Sequence, residues 1–126
     1  MNDQTIKKAA ENIGIDINCP HTIKKFIQDK SGNRIGLMIA ANCPDISDGP
    51  VVGYSLCNPQ DDFDVMRAHE ICLGRIATPD RAYDDRDSKP RTIPHSIKET
   101  LLHFKDRASR YFKQPAKIAG QEDHHE

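Results

Sequence analysis

Thr22-Ile23-Lys24-Lys25-Phe26-Ile27-Gln28-Asp29-Lys30-Ser31-Gly32-Asn33-Arg34-Ile35-Gly36-Leu37-Met38-Ile39-Ala40-Ala41-Asn42 is the stretch that decides the fold. Residues 22–28 and 34–42 are rich in β-branched and aliphatic side chains. The five residues between them, Asp29 to Asn33, combine the polar groups and the glycine that suit a hairpin turn. The pattern predicts two antiparallel strands. A third is predicted at Val51-Val52-Gly53-Tyr54-Ser55-Leu56-Cys57, after the turn-forming stretch from Pro44 to Pro50, with Val52, Tyr54 and Leu56 alternating onto one face. Three such strands in sequence make a meander.

Outside the meander the apolar period changes. Ile6, Ala9, Ala10 and Ile13 recur at helical spacing over residues 5–13, with Gly14 where a helix often stops. After Cys57, the acidic opening Asp61, Asp62 and Asp64 suits the donor-rich start of a helix over 61–77, whose stripe is Phe63, Met66, Leu73 and Ile76. Gly74 on that helix suggests close packing. Ile97, Leu101, Phe104, Ala108 and Tyr111 define a second main helix over 95–113, with Thr92 and Pro94 at its start. Lys98, His103, Asp106, Arg107 and Arg110 fall off its stripe. Residues 78–93 form a long polar loop, of a kind that is functional or disordered in compact domains. Residues 114–126, with Pro115, Gly120 and little to bury, are expected to be a flexible C-terminal tail. The expectation is one α+β domain over 1–113: an antiparallel meander decorated by two main helices and a short N-terminal helix. Its core should include Leu37, Ile39, Val52, Tyr54, Leu56, Met66, Leu73, Ile97, Leu101 and Phe104.

Composition narrows the function. With 126 residues and 37% apolar content the chain can close one modest core. The longest apolar run, Ile35 to Ala41, is far short of a membrane span, and the first residues lack the basic start and apolar block of a secretory signal. Both point to a cytoplasmic protein, and so to reduced thiols at Cys19, Cys43, Cys57 and Cys72. The 18 basic and 19 acidic groups leave a net charge of −1, too little to draw a polyanion non-specifically, so no DNA or RNA partner is expected. A charge near zero offers little resistance to self-association, which favours a homo-oligomer.

Catalytic patterns are weak. Zinc would need paired ligands on tight knuckles, and only His69 and Cys72 are close, so buried free cysteines are the better reading and no metal is expected. Cys57 with His69 downstream has the residue types of a thiol nucleophile and base, but Cys57 sits in an apolar strand register that suits a packing role. No phosphate-binding glycine loop or zinc-protease helix occurs, and the acidic pairs Asp61-Asp62 and Asp84-Asp85 lack the closing glutamate of a calcium loop. No cofactor and no catalytic residue is therefore assigned. The arginines say more. Arg67 and Arg75 lie on the first main helix, Arg107 and Arg110 on the second, and Arg81, Arg86 and Arg91 punctuate the loop between them beside Tyr83. Guanidinium forks suit phosphates and a tyrosine ring can stack on a base, although each arginine taken singly is better explained by a surface ion pair.

The block Gly53-Tyr54-Ser55-Leu56-Cys57-Asn58-Pro59-Gln60-Asp61-Asp62-Phe63-Asp64, followed by Ile71-Cys72-Leu73-Gly74-Arg75-Ile76, resembles small phage-encoded proteins with a G-Y-S-L-C-N-P-x-D-x-F-D block and a later G-R-A-like step. Among these it resembles the anti-Thoeris signal-sequestering proteins, best over residues 34–77. Ile76 stands where that pattern has a small residue. The resemblance implies an oligomeric β-sheet protein that binds a cyclic ADP-ribose-like or cyclic oligonucleotide signal without cleaving it, in the cytoplasm of an infected host cell. It also implies a pocket with an aromatic residue and an Asp-Arg step on the C-terminal helix. The matching positions are Tyr83 and Asp106-Arg107, which Arg75, Arg91 and Arg110 would join as ligand-binding residues. Three alternatives stand beside this expectation: a phage inhibitor that binds a host protein directly, a nucleotide-hydrolysing enzyme, and a nucleic-acid accessory protein, which the near-neutral charge makes the least favoured.

Overall fold

The structure, a computed structural model, describes residues 4–14, 22–42, 49–57, 62–77, 83–84, 89–90 and 95–119, with only the backbone described at 83–84 and 89–90. Helix α1 (Gln4–Asn12) precedes strands β1 (Thr22–Gln28), β2 (Arg34–Ala41) and β3 (Val51–Leu56). Helix α2 (Val65–Ala77), the short strands β4 (Tyr83–Asp84) and β5 (Lys89–Pro90), helix α3 (His95–Phe112) and strand β6 (Lys117–Ile118) follow. The main sheet has the order β1-β2-β3-β6, and β4 pairs with β5 in a separate two-stranded ribbon.

Local chemistry fixes the first hairpin. The Asp29 carboxylate accepts the backbone N–H groups of Ser31 and Asn33, each at 2.9 Å, while Gly32 takes a φ of 88° that a side chain would resist. The donated bond from Asn33 holds the Asp29 carboxyl below its ordinary range. The resulting register sets Phe26 opposite Leu37 and Lys24 opposite Ile39, and β3 continues it with Ser55 opposite Leu37.

Alternation then assigns each side chain to a layer. Leu37, Ile39, Ala41 and Val51 meet α1 and α2 on one face, with Ala9, Cys72, Leu73 and Ile76. Met38, Ala40, Val52 and Tyr54 meet α3 on the other, with Ile97, Leu101, Phe104 and Ala108. Strand β2 is therefore buried on both sides from Gly36 to Ala41, which explains its nearly continuous apolar run. Asp64 caps α2, its side chain accepting the Arg67 N–H at 3.1 Å, and α2 settles onto β3 at Gly53. A Cβ at Gly53 would collide with the Cys72 carbonyl oxygen. The close approach thus lies at Gly53; at Gly74 a Cβ would meet only Ile13, at 3.8 Å.

The meander with two main helices and a short N-terminal one is as expected, and the sheet gains a parallel fourth strand. Residues 114–119 were expected to lie in a flexible tail and instead belong to the fold. Lys113 turns the chain at a φ of 57°, Ala116 N–H donates to Ser109 Oγ at 2.9 Å, and β6 runs parallel to β3. Ala116, Ile118 and Ala119 are buried, because the edge of β3 at Val51 and Val52 needs both a partner strand and an apolar cover. Residues 120–126 lie outside the described part. Leu56 and Met66 are half-buried at the margins of the two core layers, and Tyr111, placed on the apolar stripe by its spacing, is 55% exposed because the stripe runs on from Ala108 to Phe112, which packs against the α3 layer in its place. Among the described residues no helix is long and apolar enough to cross a membrane.

Candidate functional site

A cleft of about 250 Å³ opens where β3 ends and α2 begins. Ser55, Leu56 and Cys57 come from the end of β3, Asp62, Phe63 and Asp64 from the approach to α2, and Arg67, Ala68 and Ile71 from the first turns of that helix. The chain enters the cleft on an extended strand and leaves it on a helix, so backbone and side chains of both converge there. Leu56, Phe63, Ala68 and Ile71 make it largely apolar, and the carboxylates of Asp62 and Asp64 stand over that surface.

The walls are braced from behind. Phe63 packs edge-on against Phe26 with ring centroids 6.1 Å apart, and the Arg34 guanidinium lies over the Phe26 ring, 4.0 Å from its centroid. Phe26 also meets the fully buried His69 edge-on, at 6.3 Å. His69 Nδ1 is 2.8 Å from the Val65 carbonyl, which can only accept, so Nδ1 carries the proton and Nε2 accepts from Lys24 Nζ at 2.9 Å. Both ring nitrogens are thus engaged, and neither is left to act as a base for the half-buried Cys57 thiol at the cleft. Cys72 is sealed in the core, where burial pushes its thiol up to about 12 and its Sγ donates to the Leu37 carbonyl at 3.3 Å. It is inert packing. Cys19 and Cys43 lie outside the described residues.

Arg67 is the cation of the cleft. Its side chain is 66% exposed and makes one 3.4 Å contact to Glu70, a pairing weak enough to exchange for a bound anion. Asp64 accepts the helix-cap bond with Oδ1 and is an exposed residue of the cleft lining. The arrangement offers a flat apolar wall, two carboxylates that accept from hydroxyl groups, and a guanidinium at the rim.

The residues proposed from sequence are placed differently. Arg75 on α2 donates to the Tyr54 carbonyl and lies 5.0 Å from the Tyr54 ring, so it closes the part of the β3 edge that β6 does not reach. Asp106, Arg107 and Arg110 are exposed on α3, across the sheet from the cleft. The backbone of Tyr83 pairs with Pro90 in the β4–β5 ribbon, its side chain lies outside the described part, and so does Arg91. None of the four described side chains among them, Arg75, Asp106, Arg107 and Arg110, lines the cleft. The sequence pattern assigned Asp62 and Asp64 to the helix start and Phe63 to its apolar stripe, and Arg67, counted among the arginines suited to phosphate, was not among the expected site residues. The signal available was their position in the quoted block 53–64, which wraps the point where strand gives way to helix.

No family model, curated protein or solved structure matches this chain.

Proposed function

We propose that this protein binds a nucleotide-type signal, of the cyclic ADP-ribose or cyclic oligonucleotide class, and holds it intact, as a phage-type immune-evasion protein acting in the host cytoplasm. The observation that carries this reading is the cleft, with Phe63, Asp62, Asp64 and Arg67 on its walls. Apolar pockets with a few convergent polar groups are where small ligands bind. A base would lie against Phe63, Leu56 and Ile71, ribose hydroxyls would donate to Asp62 and Asp64, and a phosphate would draw Arg67 away from Glu70. Size sets a limit: ligand pockets usually run from about 300 to 1,000 Å³, so a cleft of about 250 Å³ takes one nucleoside moiety and leaves the rest of a larger signal at the rim.

Calorimetry with cyclic ADP-ribose, cyclic di-AMP and a cyclic trinucleotide tests the reading, followed by heating the complex and assaying the released ligand. Micromolar or tighter binding with intact ligand recovered is expected. Asp62→Asn should weaken it by about 1.5 to 3 kcal/mol, the range for hydrogen bonds to charged groups. A chemically altered ligand would make the protein an enzyme. No uptake better than millimolar would put the host-protein inhibitor first.

A further inference from the structure

We infer that α3 carries a second site, independent of the cleft: a surface for single-stranded nucleic acid formed by Arg107, Arg110, Lys113 and Tyr111. The net charge of −1 conceals a segregation. Residues 95–119 hold six cations (Lys98, Lys105, Arg107, Arg110, Lys113, Lys117) against two carboxylates (Glu99, Asp106), a formal +4, which leaves −5 on the rest of the chain. An expectation drawn from the total therefore does not apply to this helix.

The cations are also available. Glu99 lies two turns before Arg107, 3.7 Å from His103, and none of Arg107, Arg110 and Lys113 is ion-paired among the described residues. All three side chains are exposed. Tyr111, 55% exposed, sits four residues after Arg107 and one after Arg110, with Phe112 edge-on behind its ring at 4.9 Å. Residues three or four apart on a helix have Cβ atoms about 5 to 6 Å apart, so Arg107 neighbours both Arg110 and Tyr111, and Lys113 follows directly where the helix ends. A stacking face and phosphate-binding forks thus alternate at a spacing that suits a splayed single strand, where aromatic stacking combines with backbone charge.

A protein partner fits less well. Specific protein interfaces have an apolar centre, and the other exposed apolar residue of α3, Leu102, lies nine positions from Tyr111, about 180° around a helix of 3.6 residues per turn. The exposed side chains three or four residues from each other around Tyr111, Arg107 and Arg110, are charged.

Fluorescence anisotropy with labelled twenty-residue oligo(dT) and oligo(U), across 50 to 200 mM NaCl, tests the assignment on the full chain. Three phosphate contacts to a single strand give a log–log salt slope of about −2, so the affinity, expected in the micromolar range at the low salt, should fall about 16-fold over that interval. The double variant Arg107→Ala/Arg110→Ala should bind at least tenfold more weakly and reduce the slope to about −0.7. Tyr111→Ala should weaken binding several-fold with the slope unchanged, and Tyr111→Phe should restore it. All four side chains are exposed, so circular dichroism should match the parent throughout. The site is wrong if the parent fails to bind either oligomer at 50 mM NaCl, if the double variant binds as the parent does, or if an oligoglutamate peptide of equal charge competes as well as the oligonucleotides. The last result would make α3 a docking face for an acidic protein.

Discussion

Lys24 on the edge strand β1 places its ammonium 2.9 Å from Nε2 of His69, a histidine wholly buried on α2. This contact ties the outermost strand to the helix that forms the cleft wall, and with the Val65 carbonyl it fixes the histidine tautomer. Lys24→Met keeps most of the aliphatic stem and removes the donor. It should cost about 1 to 3 kcal/mol, the usual penalty for taking a partner from a buried polar atom. Urea unfolding measures this directly, and an unchanged midpoint would show that the contact does not hold the histidine.

Gly53 is the point where α2 touches the sheet. Gly53→Ala sets a methyl group against the Cys72 carbonyl, a backbone atom that cannot swing aside. Overpacking of this kind costs about 1 to 3 kcal/mol. The melting temperature should fall, whereas Gly74→Ala, with only the Ile13 side chain nearby at 3.8 Å, should hold or raise it.

Ile118 tests whether the C-terminal segment belongs to the fold. It is buried against the α3 layer, and the chain beside it bonds β3 through Lys117 N–H to Pro50 O at 3.0 Å and Ala119 N–H to Val52 O at 2.8 Å. Ile118→Ala should destabilise by about 2 to 5 kcal/mol. A residue in a flexible tail would give almost nothing.

Cys72 gives a pH dependence with a definite sign. Its folded value of about 12 exceeds the ordinary 9.0, because burial disfavours the thiolate. The folded state keeps the proton that the unfolded chain gives up. The stability tied to this group is therefore complete below pH 9 and falls as the pH rises toward 12, by about 1.4 kcal/mol per unit and roughly 4 kcal/mol in all. Chemical denaturation of the parent and of Cys72→Ala between pH 8 and 11.5 checks it. Parallel curves for the two proteins would mean that Cys72 is not the group responsible.

The local pattern was enough for the meander and the three helices. A glycine turn flanked by β-rich runs, and apolar residues repeating near 3.6, satisfy backbone hydrogen bonding in one way each, within a few residues. Leu37, Ile39, Leu73, Leu101 and Phe104 were legible as core for the same reason. Three features were decided only in the folded chain. Residues 117–118 have no strand pattern of their own and are a strand because Val51 and Val52 leave a sheet edge to be paired. Arg75 reads like any ligand-binding arginine until the fold sets the Tyr54 carbonyl and ring before it. The cleft brings Cys57 to Phe63 and Arg67, and Phe63 to Phe26, thirty-seven residues earlier in the chain. Periodicity reports which face of an element is buried, but a cavity is a relation among elements, and their separation and crossing are set by packing that no single segment encodes.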